Sequence, residues 1–195
     1  MKRKIKCVLM FLCSFLVLSA QVDEKYLAGA VPEVNGKVVF QKTFELPELQ
    51  KTDIYQRALA WANANFNDEM NAVVYVAEDE SGFSCRGTEN LVFKSTTWSL
   101  DEAKMIYQIN VFPEDSLCRI EVKPISYTYD VSYKKEPEIY RAEEWITDKE
   151  AVNKKKLYRN NGKFRIKTID FVEDVFNSIH TSLLSGKINL FRGNQ

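Results

Sequence analysis

The chain has 195 residues, 45% apolar and 12% aromatic, with only seven Gly and five Pro, a composition that fills a core and excludes fibrous or low-complexity classes. All four charges in the first twenty residues are basic (Lys2, Arg3, Lys4 and Lys6), so the remainder carries 23 basic against 27 acidic residues, a net charge of −4. That balance argues against a nucleic-acid partner, which requires a basic footprint to displace counterions from phosphates.

Residues 1–20 read as an export signal. Behind the basic cluster, Cys7 to Leu18 is apolar except for Ser14. Twelve helical residues rise about 18 Å, short of a roughly 30 Å hydrocarbon core. Basic, apolar and then small residues is the order of a secretory signal peptide. Cleavage is expected after Ala20. Bulky Met10-Phe11-Leu12 before Cys13 do not fit a lipobox, so a lipid anchor is not expected. The protein should be exported, to the periplasm or beyond, with no transmembrane helix after cleavage.

From there the elements follow in order. Residues 21–35 are polar, contain Pro32 and read as a linker. Lys37 to Glu45 alternates as a strand, with Val38, Phe40 and Phe44 on one face. Pro47 ends it. Thr52 is expected to cap a helix with Asp53 in its first turn. Ile54, Ala58 and Trp61, beside Tyr55, Leu59, Ala62 and Phe66, form its apolar stripe, and Asn63, Asn65 and Asn67 close it. Ala72 to Ala77 is a short β-branched strand, with a turn over Glu78 to Gly82. Phe83 to Lys94 is the next strand, and Gly87 inside it signals a bulge or a close contact. Ala103 to Phe112 follows, then a turn at Pro113-Glu114-Asp115-Ser116. Leu117 to Val131 is the last long strand.

A charged insertion, residues 132–162, comes next. Thr147-Asp148-Lys149-Glu150 has capping-box spacing, so a short helix to about Lys154 is expected. Asn160-Asn161-Gly162 reads as a turn. Lys163 to Leu184 is a long amphipathic helix with Ile169, Val172, Phe176, Ile179 and Leu183 as its stripe; Gly186 stops it, and residues 186–195 read as a tail. The order strand, helix, four strands, helix describes an α+β domain. The four closely connected strands form an antiparallel meander, and the two single-striped helices cover one face.

Several segments stand out together: Val39-Phe40-Gln41-Lys42-Thr43-Phe44, Asp53-Ile54-Tyr55-Gln56-Arg57-Ala58-Leu59-Ala60-Trp61, Asn65-Phe66 and Glu143-Glu144-Trp145-Ile146-Thr147-Asp148. Asn153-Lys154-Lys155-Lys156, Gly162-Lys163-Phe164-Arg165 and Thr168-Ile169-Asp170-Phe171 join them. As a set they resemble an uncharacterised family of exported bacterial proteins, DUF4468. The resemblance spans nearly all of the chain after residue 20. It implies a single TBP-like domain over residues 36–185: a five-stranded antiparallel sheet in the order β-α-β-β-β-β-α, with two helices packed on one face. It implies no activity, and fold does not fix function. It also places the strands of Cys85 and Cys118 on either side of the Ala103 strand. Strands two apart lie roughly 9.5 Å from each other, beyond the 7 Å that a disulfide spans. Two buried thiols are the ordinary reading, and a bridge needs a bulge.

Candidate chemistry is sparse. His180, the only histidine, flanks an apolar stripe, where a half-buried packing role is usual. One His and two separated Cys give no zinc spacing, and the acidic runs lack a calcium-loop pattern. No cofactor or metal is expected. The basic stretch Lys154-Lys155-Lys156, Arg159, Lys163, Arg165 and Lys167 reads as solvated or as facing an anionic envelope component. Acidic residues at 136–150 offer it an internal partner. Tyr127, Tyr129, Tyr133, Tyr140 and Trp145 are the speculative binding set, since Tyr and Trp favour half-wet surfaces and binding hot spots. The other reading folds the insertion over these rings, with Trp145 filling a satellite core. The expected function is a non-catalytic binding or structural module of the cell envelope with a protein or glycan partner. The alternative is an envelope hydrolase using paired carboxylates such as Glu143, Glu144 or Asp148.

Overall fold

The computed structural model describes residues 22–97, 99–130 and 136–191. Residues 1–20 and Tyr133 lie outside that range.

The segment expected as a linker packs against the body. A 3-10 turn at Glu24–Tyr26 is followed by a hairpin of β1 (Glu33–Val34) and β2 (Lys37–Val38). Its turn is Asn35-Gly36, with φ of 51° and 72°. Both residues are left-handed, the conformation for which Asn-Gly is favoured in two-residue hairpins. Val31 is buried in the core.

β3 (Phe40–Glu45) leads into α1 (Lys51–Asn65). The cap position is Gln50, not Thr52. The reason lies across the fold: the Asp115 carboxylate accepts the Lys51 N–H at 2.9 Å, so a distant turn satisfies the helix start. β4 (Ala72–Val76), β5 (Phe83–Thr96), β6 (Ser99–Glu114) and β7 (Leu117–Tyr129) form the meander. Pro113 lies inside β6, opposite Cys118, and the turn shrinks to Asp115-Ser116. A two-residue hairpin makes Glu114 and Leu117 the hydrogen-bonded pair. The next pair exchanges no N–H bond, so the proline's missing donor costs nothing there.

The insertion contributes β8 (Glu138–Arg141), α2 (Ala142–Trp145), α3 (Asp148–Ala151), and a hairpin of β9 (Val152–Asn153) and β10 (Lys156–Leu157). The expected short helix is the single turn α3, and Thr147 makes no side-chain cap to it; its hydroxyl donates to the Glu143 carbonyl. α4 (Arg159–Ser185) starts four residues early and absorbs the expected Asn-Asn-Gly turn. Gly162 permits this, because a Cβ there would lie 2.6 Å from the Leu157 Cβ.

All pairings are antiparallel. The five expected strands run β3–β7–β6–β5–β4, and β8 adds a sixth beside β7. β7 pairs with β3 over residues 117–122 and with β8 over 126–129. The handover falls around Pro124, which has no N–H to offer an outer neighbour. Both long helices cover one face. Ile54, Ala58, Trp61 and Ala62 from α1 meet Ile169, Val172, Val175, Phe176 and Ile179 from α4 over Met105, Tyr107, Ile109 and Val111 of β6. Trp61 is fully buried, and its Nε1–H donates to Ser178 Oγ at 2.9 Å. Gly87 is explained by a close contact: a Cβ there would lie 2.6 Å from the Tyr107 hydroxyl. Part of the expected tail also docks, with Phe191 buried against Trp61 and Phe66.

Candidate functional site

Strand alternation places Phe93, Asp101 and Tyr129 on the helix-covered side, beyond the last packed layer of the core. The first turn of α4 runs over them and lowers Lys163 into the gap. Its ammonium lies 2.7 Å from Asp101 Oδ2 and donates to the Tyr129 hydroxyl at 2.8 Å. That hydroxyl in turn donates to Asp101 Oδ1 at 2.7 Å. The same ammonium stands 4.5 Å from the Phe93 ring centre and 4.7 Å from that of Tyr129, within cation–π range. Partial burial pushes the Asp101 carboxyl up, but hydrogen bonds from Lys163 and Tyr129 outweigh it and hold the group below the usual carboxylate range.

A groove of about 780 Å³ opens beside this triad, bounded by Tyr158, Arg159, Asn160 and Asn161 as well as Phe93, Asp101, Tyr129 and Lys163. Tyr158 is 47% exposed. The Asn161 amide is anchored by donating to the Trp145 carbonyl at 2.9 Å. The lysines of the β9–β10 hairpin, Lys154, Lys155 and Lys156, are exposed and shortly precede Tyr158 in the chain.

The proposed aromatic set is divided by the structure. Tyr127 is fully buried and its hydroxyl shares a hydrogen bond with Thr168 Oγ1 at 2.8 Å. Tyr129 forms a wall of the groove. Tyr140 stacks on Trp145 with centroids 3.9 Å apart, and Trp145 meets Phe164 edge-on at 5.8 Å. Phe164 also contacts Tyr127, Tyr129 and Phe93, at 5.2, 5.3 and 4.6 Å. It joins the insertion to the sheet. Tyr133 is outside the described residues.

The carboxylates of the insertion act as acceptors. Glu143 takes the Val38 N–H at 3.1 Å, and Asp148 takes the Gly29 N–H and the Arg165 guanidinium. Glu144 is exposed. Arg165, from the basic stretch, is fully buried and also donates to the carbonyls of Tyr26, Leu27 and Ile146. Cys85 and Cys118 are free, and burial pushes each thiol up to about 12. Neither is a thiolate near neutrality. His180 stacks on Phe44 at 4.3 Å; burial, then nearby Lys42, lowers its pKa. Among the described residues no three or more His, Cys, Asp or Glu side chains group as a metal site. No helix among them is long and apolar enough to cross a membrane.

A second concavity of about 380 Å³ lies on the open sheet face, lined by Gln108, Asn110, Phe112, Glu121 and Lys123 with Lys37 and Glu143 at its rim. Of its lining, Asn110 and Glu121 are occupied by their neighbours. Asn110 Oδ1 accepts from Ser84 and Gln108 at 2.8 and 2.7 Å, and Glu121 is held between Arg119 and Lys123.

A meander sheet under two helices has the TBP-like α+β plan, and known proteins share it. A family model described as a domain of unknown function (DUF4468) with TBP-like fold matches residues 40–128. The chain is similar to a solved DUF4468 family protein from Bacteroides ovatus ATCC 8483, with 39% identity and a TM-score of 0.75 over 82% of this chain and 93% of that one. A TBP-like protein from Parabacteroides distasonis ATCC 8503 shares the fold, with 23% identity and a TM-score of 0.69 over 80% and 97% of the two chains. No curated protein matches. The chain belongs to the DUF4468 family.

Proposed function

We propose that this protein is an exported, non-catalytic binding module of the cell envelope, and that the groove at the head of α4 takes an anionic glycan. Export rests on the basic, apolar, small order of residues 1–20. The observation that carries the site is the groove itself. It combines aromatic walls, Tyr129 and half-exposed Tyr158, with the amides of Asn160 and Asn161 and the cation of Arg159. Aromatic rings pack against the apolar faces of sugars, amides match their hydroxyls, and the basic rim attracts carboxylates. Lys163 and Asp101 already neutralise each other, so the groove floor is preorganised.

Calorimetric titration tests this with oligogalacturonate against a neutral glucan oligomer of equal length. Binding of the acidic oligomer alone, weakened by salt and lost in Tyr158→Ala/Arg159→Ala, is expected. Both residues are exposed, so the variant should fold. Equal binding of the two oligomers, or an unaffected variant, would refute the reading.

A further inference from the structure

The two edges of the sheet differ in character. Along β3, Gln41, Lys42, Thr43 and Glu45 are exposed. Charged side chains on an edge strand deter the addition of another strand. β4 at the other edge is Ala72-Val73-Val74-Tyr75-Val76 and carries no charge. Val74, Tyr75 and Val76 are 53%, 61% and 45% exposed. β4 pairs with β5 on one side, and among the described residues no strand pairs with its other side. A local bridge between Asn67 and Ala72 covers only its start.

Acidic residues flank this bare ladder at both ends. Asp68 and Glu69 precede it, and Glu78, Asp79 and Glu80 follow it. Lys51, whose ammonium lies 3.4 Å from the Asp79 carbonyl, is the cation beside the second cluster. An antiparallel second copy would set each acidic flank against the acidic flank of its twin, which like charges oppose. A strand with basic flanks meets opposite charge at both ends. A register shift between Val73 and Tyr75 interrupts the ladder, so few main-chain bonds are available and the flanking charges must supply selectivity.

We propose that β4 is a docking edge for a partner protein, which adds an extended segment with a β-branched centre and Lys- or Arg-bearing flanks. Strand addition of this kind draws affinity from the main chain and specificity from side chains. The surface is distinct from the groove, which lies at the head of α4.

The test is fluorescence anisotropy with the full chain, expressed with its own leader. The probe is a labelled peptide, Lys-Lys-Val-Thr-Val-Tyr-Val-Lys-Lys, compared with the same centre flanked by Glu. Saturable binding of the Lys-flanked peptide is expected, about tenfold or more tighter than the Glu-flanked one and weaker as salt rises. Val74→Lys should weaken it about tenfold or more with unchanged circular dichroism and melting. Val92→Lys, an exposed change elsewhere on the sheet, should leave it unaltered. The proposal is overturned by no saturable binding, by equal binding of the two peptides, or by an indifferent Val74→Lys. Self-association in sedimentation that Val74→Lys abolishes would assign the edge to a second copy and overturn it as well.

Discussion

Along β6, Met105, Tyr107, Ile109 and Val111 face the helices, while Lys104, Ile106, Gln108 and Asn110 alternate onto the open face. The two faces handle charge in different ways. On the open face Glu121 finds its partners next door: it lies between Arg119 and Lys123 of the same strand, and Arg119 also covers the Phe112 ring at 4.0 Å. On the covered face a single buried cation, Arg165, ties together the 3-10 turn, α2, α3 and α4 through three carbonyls and Asp148. Local pairing makes a surface; long-range pairing holds separate segments in one body.

The largest effect is therefore expected at Arg165. Arg165→Met leaves three chain carbonyls without their donor and takes one of two donors from the Asp148 carboxylate, which keeps the Gly29 N–H. Asp148 is 39% exposed and turns to water, so the cost falls on the carbonyls; an orphaned acceptor costs about 1–3 kcal/mol, and three together should cost about 3 kcal/mol or more. Glu121→Gln on the open face should cost about 1 kcal/mol or less, because Arg119 and Lys123 are each 34–42% exposed and turn to water. Urea unfolding of both variants measures the contrast. Similar losses would show that the faces are not built differently. Arg165→Lys should rescue only in part, since an ammonium offers three donors from one point where the guanidinium spreads five over a planar fork.

The next effect separates two neighbouring tyrosines on the covered side. Tyr127 is fully buried and bonded to Thr168, whereas Tyr129 reaches the groove. Tyr127→Phe should cost about 1 kcal/mol, the typical worth of one buried hydrogen bond, and leave the proposed binding of the acidic oligomer intact. Tyr129→Phe removes the hydroxyl that links Lys163 to Asp101 and should change binding more than stability. Paired melting and titration of the two variants would break the distinction if they behaved alike.

How much of this was legible in the sequence follows from reach along the chain. Short connections gave the meander and the stripes of the two long helices gave the covered face, because those signals lie within a few residues; the place of β3 beside β7 had no such signal. The Asn35-Gly36 hairpin was also written locally, yet polar composition around Pro32 led to a linker reading. In the sequence Arg165 falls within a basic run. Its spacing said otherwise, since it stands four residues before Ile169 and seven before Val172, on the helix stripe. Phe164 stands likewise four and seven residues before buried Thr168 and Phe171. The groove had no local signal: Phe93, Asp101, Tyr129 and Lys163 come from four elements, and only folding brings them together.

The smallest expected effect tests whether the groove floor belongs to the body or to the surface. Asp101 and Lys163 have side chains 32% and 22% exposed, so their pair should contribute about 1 kcal/mol or less. Its pH dependence has a definite sign. Asp101 titrates lower in the folded protein than in the unfolded chain, where a carboxyl of this type has a pKa of about 3.9. The contribution is therefore fully present above that unfolded value and is lost as pH falls through the lower folded one. Whole-protein acid stability cannot isolate it. Asp68 and Asp79 are also held low, by hydrogen bonds from Asn71 and Ser81, and they add loss of the same sign. Glu89, pushed up by burial, works in the opposite direction. The difference between the native chain and Asp101→Asn removes these shared terms. It should be constant above about pH 5 and shrink below pH 4. A difference that stays constant through acid would mean that the hydrogen bonds, not the charge on Asp101, hold Lys163 over the groove.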